Sequence, residues 1–358
     1  MDSGIFWVLS HNVNGLSKAN HQLDVLLFAR AMKEKAVEVF GIQETNRNFE
    51  RTAMLDSFHN VIWSVSSHHH GAVSSANLQL STDYQPGGTA VSVRDKWASR
   101  FLMKGSDEFG RWSWLTLTGR GTTKITFISG YRVCDGASES ALTSRTVRSQ
   151  QEWMYADRGM PKSDLRKQFV IDIIKMINFF TDKGHDIILM MDANESSSEV
   201  TAVEKIFTEC GLQDAHSLSL DMSPPPATYH RGSAKIDFVL VSPRAATAVR
   251  AASILSLQDR YLSDHRALVV DFDAGMLFTG DTSEIVPPAT RRLTSTNPMA
   301  VHKYVQHMLQ HITLHGITEK VKALMLRSTN GEWDDDDDVY QWETIDHLMV
   351  LGRTATEQ

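Results

Sequence analysis

The stretch HDIILMMDANE, residues 185–195, places a short apolar run between a polar start and an acid-rich end. Such a run, bounded by polar residues, is typical of a buried strand. Upstream, apolar side chains recur at helical spacing at Leu165, Phe169, Ile173, Ile177 and Phe180. We therefore predict a helix that Ser163 caps and Gly184 ends, followed by the strand.

The N-terminal residues contain a related unit. IFWVL (residues 5–9) is typical of a strand, and apolar positions between residues 22 and 39 have helical spacing. VEVFGIQET (residues 37–45) then resembles a buried strand that leads to Glu44. The pattern predicts a β-α-β opening.

The middle of the chain is richer in strand-forming residues. GGTAVSVR (87–94), RWSWLTLTG (111–119) and KITFISGYR (124–132) are predicted to be sequential strands of one sheet. Residues 132–162 are polar and are predicted to form a long loop. More strands follow, and their pattern ends at Asp273.

The composition limits the class of protein. The 358 residues are 42% hydrophobic and 22% charged, which is ordinary for a globular protein with a sizeable core. No apolar stretch approaches the roughly 18–20 residues of a membrane span, so we expect no membrane partner. Two distant cysteines fit a reducing, intracellular compartment. A net charge of −7 argues against binding nucleic acid by charge alone.

Polar side chains stand where the apolar runs begin or end. Their positions are Asn12 and Asn14, Glu44, Asp192 and Asn194, Asp237, and Asp264 with His265. Taken singly, Glu44 fits a helix cap or a surface position, the Asp-x-Asn pair an Asx turn, and Asp237 an ion pair with Lys235 or Arg231. Taken together, strand ends on one side of a sheet core converge, so these residues are predicted to form one pocket.

Oxygen donors without cysteine suit a hard cation such as Mg²⁺ or Mn²⁺. A phosphodiester needs such a cation to neutralise developing charge and to promote a hydroxide nucleophile. A histidine beside the cluster stabilises a phosphoryl oxygen if a carboxylate fixes its tautomer. The chemistry predicted for this pocket is phosphoester hydrolysis.

The ordered motifs HNVNGL, GIQET, SGYR, MDANE, KIDFVLVS and SDHRAL resemble those of the endonuclease/exonuclease/phosphatase superfamily, the DNase I-like proteins. NVNGL, IQET and TYHRGSAKID most resemble the endonuclease domain of non-LTR retrotransposons. The resemblance implies a four-layer α/β/β/α sandwich over residues 1–273. Residues 274–358 are then a linker and helical tail, in which the DDDDD run (334–338) is expected to be a solvated loop.

The resemblance also implies roles for single residues. The metal ligands are Glu44, as the principal one, with Asn12 and Asp264. The substrate side is lined by Asn14, which supports its loop, and by Tyr229, His230 and Arg231.

For the chemical step, the resemblance implies that Tyr131 contacts the scissile phosphate. Asp192 orients or deprotonates the attacking water, and Asn194 binds the phosphate beside it. Asp237 orients His265, which stabilises the pentacovalent phosphate. The expected products are a 5′-phosphate and a 3′-hydroxyl.

Two positions depart from the family pattern. Met191 stands before Asp192 where the family usually has glycine, and His11 precedes Asn12 in place of an aromatic or small residue. The Asp-x-Asn spacing is intact, so the change at Met191 bears on loop geometry more than on chemistry.

Three functions remain to be separated. The first is a Mg²⁺-dependent DNA endonuclease that nicks a target strand. Such an enzyme would need access to the nucleus in a eukaryote, and its partner would be a reverse transcriptase domain in a longer polyprotein. The second is a same-fold phosphoesterase acting on RNA or on a small phosphoester such as an inositol phosphate or sphingomyelin. The third is a catalytically silent binding module, against which the complete set of polar positions argues.

Overall fold

The computed structural model describes residues 4–16, 19–34, 37–51, 69–78, 82–135, 146–160, 164–196, 202–219, 225–257, 263–278 and 298–332, with short helical pieces between 337 and 349. Contacts divide the chain into two units, residues 1–287 and 288–358. Within the described part of the first unit, the strands form two six-stranded sheets.

The first sheet contains β1 (Ile5–Asn12), β2 (Val39–Gln43), β3 (His69–Ser74), β4 (Thr89–Arg94), β11 (Val249–Ile254) and β12 (Leu268–Asp273). Its spatial order is β11-β12-β1-β2-β4-β3. The second sheet contains β5 (Phe101–Ser106), β6 (Trp112–Thr118), β7 (Lys124–Tyr131), β8 (His185–Asp192), β9 (Gln213–Asp214) and β10 (Asp237–Val241). Its order is β5-β6-β7-β8-β10-β9.

Each sheet has a parallel pair at its centre, β1 with β2 and β7 with β8, and antiparallel strands on either side. The three runs predicted to share one sheet do not do so, and that prediction is wrong. β4 pairs with β2 and β3 in the first sheet, whereas β6 and β7 pair in the second. The chain crosses between the sheets after β4, through a 3-10 helix at Asp95–Arg100.

The helices in the described part of the first unit are α1 (Ala19–Glu34), α2 (Val147–Asp157), α3 (Leu165–Thr181), α4 (Ala202–Cys210), α5 (Ala215–Ser219), α6 (Pro243–Thr247) and α7 (Ala274–Leu277), with a further 3-10 turn at Phe49–Arg51. Phe28 of α1 packs on the first sheet, and Phe169 of α3 packs on the second. Between the sheets lies a third apolar layer that includes Phe6, Phe127 and Met190. The layers therefore run helix, sheet, sheet, helix, and the predicted four-layer α/β/β/α sandwich is confirmed.

Two local predictions were wrong. The predicted long loop at 132–162 contains α2, which begins with a capping box between Thr146 and Ser149. The N-cap of helix α3 is Asp164, whose side chain accepts hydrogen bonds from the backbone N–H groups of Arg166 and Lys167, and the predicted cap Ser163 lies outside the described residues.

The two sheets approach each other closely at β2 and β8. A Cβ atom placed on Gly41 would lie 2.6 Å from Cε of Met190 and 3.1 Å from its Cβ. Gln43 spans the same gap, since its Nε2 donates to Ser129 Oγ at 3.1 Å and to the Met190 carbonyl at 3.4 Å. These contacts fix how the ends of the central strands face each other across the sandwich.

The second unit contains α8 (Pro298–Leu314) and α9 (Ile317–Thr329), separated at Gly316 in the left-handed region. The acidic run is not wholly a solvated loop, because the Asp338 side chain is buried and lies 3.2 Å from Nη2 of Arg327. Residues 334–336 of that run lie outside the described residues. Among the described residues, no helix is long and apolar enough to cross a membrane.

Candidate active site

The strand register brings the predicted polar positions to one edge of the sandwich. In the second sheet, Asp192 at the end of β8 lies opposite both Tyr131 and Asp237. In the first sheet, the parallel strands β1 and β2 end at Asn12 and just before Glu44, respectively. Because β12 runs antiparallel to β1 and starts beside the end of that strand, the residues that precede it lie at the same edge.

Asn12 joins the two sheets at this edge. Its Nδ2 atom donates to Glu44 Oε2 at 3.1 Å and to Asp192 Oδ2 at 2.9 Å. Its Oδ1 atom accepts from the backbone N–H of Asn14 at 3.0 Å, so Asn14 braces the amide while its own side chain is exposed. A single buried amide therefore fixes the separation of two carboxylates from different sheets.

Tyr131 and Glu44 form a second link between the sheets. The tyrosine hydroxyl donates to Glu44 Oε1. Burial and the neighbouring Glu44 charge raise the pKa of Tyr131 well above its usual value, so the hydroxyl keeps its proton and remains a donor. Tyr131 and Asn12 thus engage both oxygens of Glu44.

Asp192 and Asn194 form an Asx turn that is also part of the pocket. The backbone N–H of Asn194 donates to Asp192 Oδ1 at 2.8 Å, and Asn194 has a positive φ of 49°. The Nδ2 atom of Asn194 lies 2.8 Å from the Arg132 carbonyl and 3.3 Å from Asp192 Oδ2. Burial, together with the negative charges of Asp237 and Glu44, raises the pKa of Asp192 well above its ordinary value.

His265 and Asp237 form a buried pair, with 2.9 Å between Nδ1 and Oδ2. Burial alone would lower the pKa of His265, but the hydrogen bond and charge of Asp237 outweigh it and raise the pKa to about 9. Lys235, considered as an alternative partner of Asp237, pairs instead with Asp214. Because Nδ1 contacts Asp237, the other ring nitrogen of His265, Nε2, points away from Asp237.

Three supporting residues were not identified from the sequence. Ser263 Oγ donates to the Asn12 carbonyl at 2.6 Å and accepts from the His265 N–H at 3.1 Å. Thr228 Oγ1 accepts from the Asp237 N–H at 3.2 Å. His11, which departs from the family pattern, is buried with Nε2 3.2 Å from the His265 carbonyl, and burial lowers its pKa to about 4.

The Tyr229–Arg231 segment lies beside the His-Asp pair. The rings of Tyr229 and His265 are 5.0 Å apart between centroids, and the His230 N–H donates to the Asp264 carbonyl at 2.8 Å. The His230 and Arg231 side chains are exposed and contact each other at 3.1 Å. These contacts place the segment at the rim of the pocket, with Tyr229 half-buried and the other two side chains open to solvent.

The donor atoms fit a divalent cation. Ligand atoms of Asp192, Asp237 and His265 lie within 4.8 Å of one another. Buried Oδ1 atoms of Asp237 and Asp264 have no hydrogen-bond partner among the described residues. Unpaired buried carboxylate oxygens are costly, and a cation removes that cost.

The group of Asp192, Asp237 and His265 differs from the metal ligands that the resemblance implies, which are Glu44, Asn12 and Asp264. His265 Nδ1 is already hydrogen-bonded to Asp237, so only Nε2 of this ring is open, either to a substrate oxygen or to a cation. Glu44, with two carboxylate oxygens at the pocket, suits the metal better. The ligand set of Glu44, Asn12 and Asp264 that the resemblance implies stays a prediction.

The model of the Endonuclease/Exonuclease/phosphatase family matches residues 9–265, and the chain belongs to this family. Its members are typically hydrolytic nucleases and phosphatases that depend on divalent metals. No curated protein matches the chain significantly.

Several solved structures share the fold. An AP endonuclease from Leishmania major is 13% identical, with 76% of this chain and 88% of that chain covered and a TM-score of 0.54. The human Nocturnin catalytic domain with bound sulfate is 18% identical, with 75% and 93% covered and a TM-score of 0.52. An endonuclease/exonuclease/phosphatase from Bacteroides vulgatus is 15% identical, with 75% and 98% covered and a TM-score of 0.52.

Proposed function

We propose that the chain is a Mg²⁺-dependent phosphodiesterase, and that its substrate is DNA, which it nicks to leave a 3′-hydroxyl and a 5′-phosphate. The proposal rests on one observation: two groups of polar residues meet at one edge of the sandwich. One is the buried His265–Asp237 pair, and the other is the chain of contacts from Asp192 through Asn12 to Glu44.

A divalent cation such as Mg²⁺, with Mn²⁺ as a substitute, would be held by Glu44, Asn12 and Asp264 and would neutralise charge on the phosphate. Asp192 is buried with a raised pKa, so its carboxylate is a stronger proton acceptor for an attacking water. His265 carries a raised pKa and can present a protonated ring to a phosphoryl oxygen. Asp237 holds that ring by its other nitrogen, and Tyr131 and Asn194 lie beside the phosphate position.

Two features favour DNA as the substrate: the Tyr229–Arg231 segment at the rim of the pocket, and the resemblance to enzymes that act on DNA. Tyr229 offers a ring, and Arg231 an exposed cation, next to the His-Asp pair. Fold relatives include a Neisseria 3′ phosphatase bound to a product DNA hairpin, 16% identical with a TM-score of 0.50 over 75% of this chain and 99% of that chain. The motif resemblance to non-LTR retrotransposon endonucleases adds a role in exposing a primer 3′-hydroxyl, with a reverse transcriptase as partner.

Basic residues recur between residues 145 and 167 and could hold a phosphate backbone, but three of the arginines there make contacts within the protein. Arg166 donates to the carbonyls of Val133 and Asn194, and Arg148 donates to that of Cys134. Arg158 pairs with Glu108. These three arginines therefore do not support a phosphate-binding strip, and the proposal places DNA contact at the Tyr229–Arg231 rim.

The test is nicking of supercoiled plasmid with Mg²⁺, with and without EDTA. We expect a nicked circle that DNA polymerase can extend, and we expect His265→Ala to abolish nicking. Arg158→Ala, which removes an exposed ion pair, is the matched control and should nick normally. Hydrolysis of RNA or of a small phosphoester without plasmid nicking would replace DNA as the substrate. Unchanged hydrolysis in His265→Ala would overturn the mechanism.

A further inference from the structure

Arg132 contacts four consecutive residues of the turn that carries Asp192 and Asn194. Its N–H donates to the Asp192 carbonyl at 3.0 Å, and its carbonyl accepts from Asn194 Nδ2 at 2.8 Å. Its guanidinium donates to the Ala193 carbonyl at 3.3 Å and pairs with Glu195. The side chain is buried, so these contacts are made away from bulk water.

A second arginine supports the same turn from helix α3. Arg166 donates to the Asn194 carbonyl at 3.2 Å and to the Val133 carbonyl at 2.7 Å. Its Nη2 atom lies 3.9 Å from Glu195 Oε1. Burial and the nearby Arg166 charge lower the pKa of Arg132, and Glu195 opposes that shift, so the carboxylate holds two like charges together.

We infer that Arg132, Glu195 and Arg166 form a positioning clamp for Asn194. Asn194 adopts a left-handed backbone conformation, which asparagine tolerates better than most non-glycine residues and which contacts with its surroundings support. The clamp supplies that support, and one of the two side-chain amide hydrogens of Asn194 is donated to the Arg132 carbonyl. The other amide hydrogen, on the longer 3.3 Å contact to Asp192, is then directed toward the pocket. This inference rests on the proposed function for its catalytic consequence, but not for its structural one.

The experiment compares wild type with Arg132→Met, Arg132→Lys and Glu195→Gln, using Arg158→Met as the control from an exposed ion pair. Hydrogen exchange by mass spectrometry should show faster exchange at residues 192–196 in Arg132→Met and Glu195→Gln, with the β1 and β7 peptides unchanged. In the Mg²⁺-dependent nicking assay, kcat should fall roughly 10- to 100-fold with KM within about threefold of wild type. Arg132→Lys should recover part of kcat.

A double variant separates positioning from general weakening. If Arg132 acts through Asn194, Arg132→Met added to Asn194→Ala should cost no further activity than Asn194→Ala alone. Additive losses, unchanged exchange at 192–196, or exchange that rises equally throughout the sheets would each overturn the clamp. If wild type cleaves no phosphoester, the proposed function fails, and the exchange result still decides the clamp. If Arg132→Met does not fold, Glu195→Gln carries the test.

Discussion

His265 and Asp237 join the two sheets of the sandwich through a buried contact of 2.9 Å between Nδ1 and Oδ2. His265 precedes β12 of the first sheet, and Asp237 begins β10 of the second. The imidazole is therefore oriented by a carboxylate that belongs to the opposite layer. Any shift of one sheet against the other would change the direction in which Nε2 points.

Asp237→Asn should reduce kcat/KM by about 10²- to 10⁴-fold, because the ring loses both its orientation and its counter-charge. The pKa of His265, raised to about 9 with Asp237 present, should fall, since only the weaker effects of the Asp192 and Asp264 charges then oppose burial. A protonated ring exists only below its pKa, so wild-type activity should decline above about pH 9 and that decline should move to lower pH in the variant. The pH dependence of kcat/KM measures this shift. An alkaline limb that stays in place would mean that another group controls it.

Tyr131→Phe should weaken the dependence on metal without unfolding the protein. The hydroxyl donates to Glu44, and its removal frees the carboxylate to rotate within the pocket. We expect the Mg²⁺ concentration for half-maximal activity to rise about 10- to 100-fold. A metal titration of the nicking rate gives the value, and thermal unfolding provides the control for stability. A lower kcat at saturating Mg²⁺ with an unchanged half-maximal concentration would show that Tyr131 acts on the phosphate alone and does not orient Glu44 for the metal.

The convergence of the candidate site residues at the strand ends was predictable because Asn12, Glu44, Asp192, Asp237 and His265 each border a local apolar run. Asp192 follows an apolar run and His265 precedes one, and the register of a sheet then brings them to one edge. The supporting contacts were not predictable, because their partners are distant in sequence. His11 and His265 are 254 positions apart, and no local pattern connects them.

The errors in the fold also have physical causes. Helix α2 buries Gln150 and Gln151 beside Met154 and Tyr155, so its inner face lacks a continuous apolar stripe. Gln150 accepts a buried hydrogen bond from Gln85, and the spacing of apolar residues along the sequence does not predict such a contact. Strand β4 was assigned to the wrong sheet because its alternation of residues resembles that of β6 and β7, and such a pattern does not indicate which strand is its neighbour.

Gly41→Ala should destabilise the sandwich, because the added methyl group would meet Met190 at 2.6 Å. Overpacking of this kind costs about 1–3 kcal/mol. Met190→Ala leaves a cavity and should also destabilise the protein, but the double variant should be more stable than the sum of the two single effects predicts. Urea unfolding of the four proteins gives the coupling. Strict additivity would show that the sheets separate to accept the methyl group without contact with Met190.

Glu38→Gln should stabilise the protein at pH 8 and have little effect near pH 5. Burial raises the pKa of Glu38 to about 7, against the opposing hydrogen bond from the Trp7 N–H and the charge of Arg94. The folded state therefore retains a proton that the unfolded chain releases near pH 4.5, so this group's contribution to stability is lost as the pH rises from about 4.5 to 7. Above that window, folding includes the cost of burying the ionised carboxylate, on the order of 3 kcal/mol. Glutamine carries no charge and keeps an oxygen to accept from Trp7. Urea unfolding of wild type and variant at pH 5 and pH 8 compares the two free energies. An equal difference at both pH values would show that Glu38 ionises in the folded protein at its ordinary pKa.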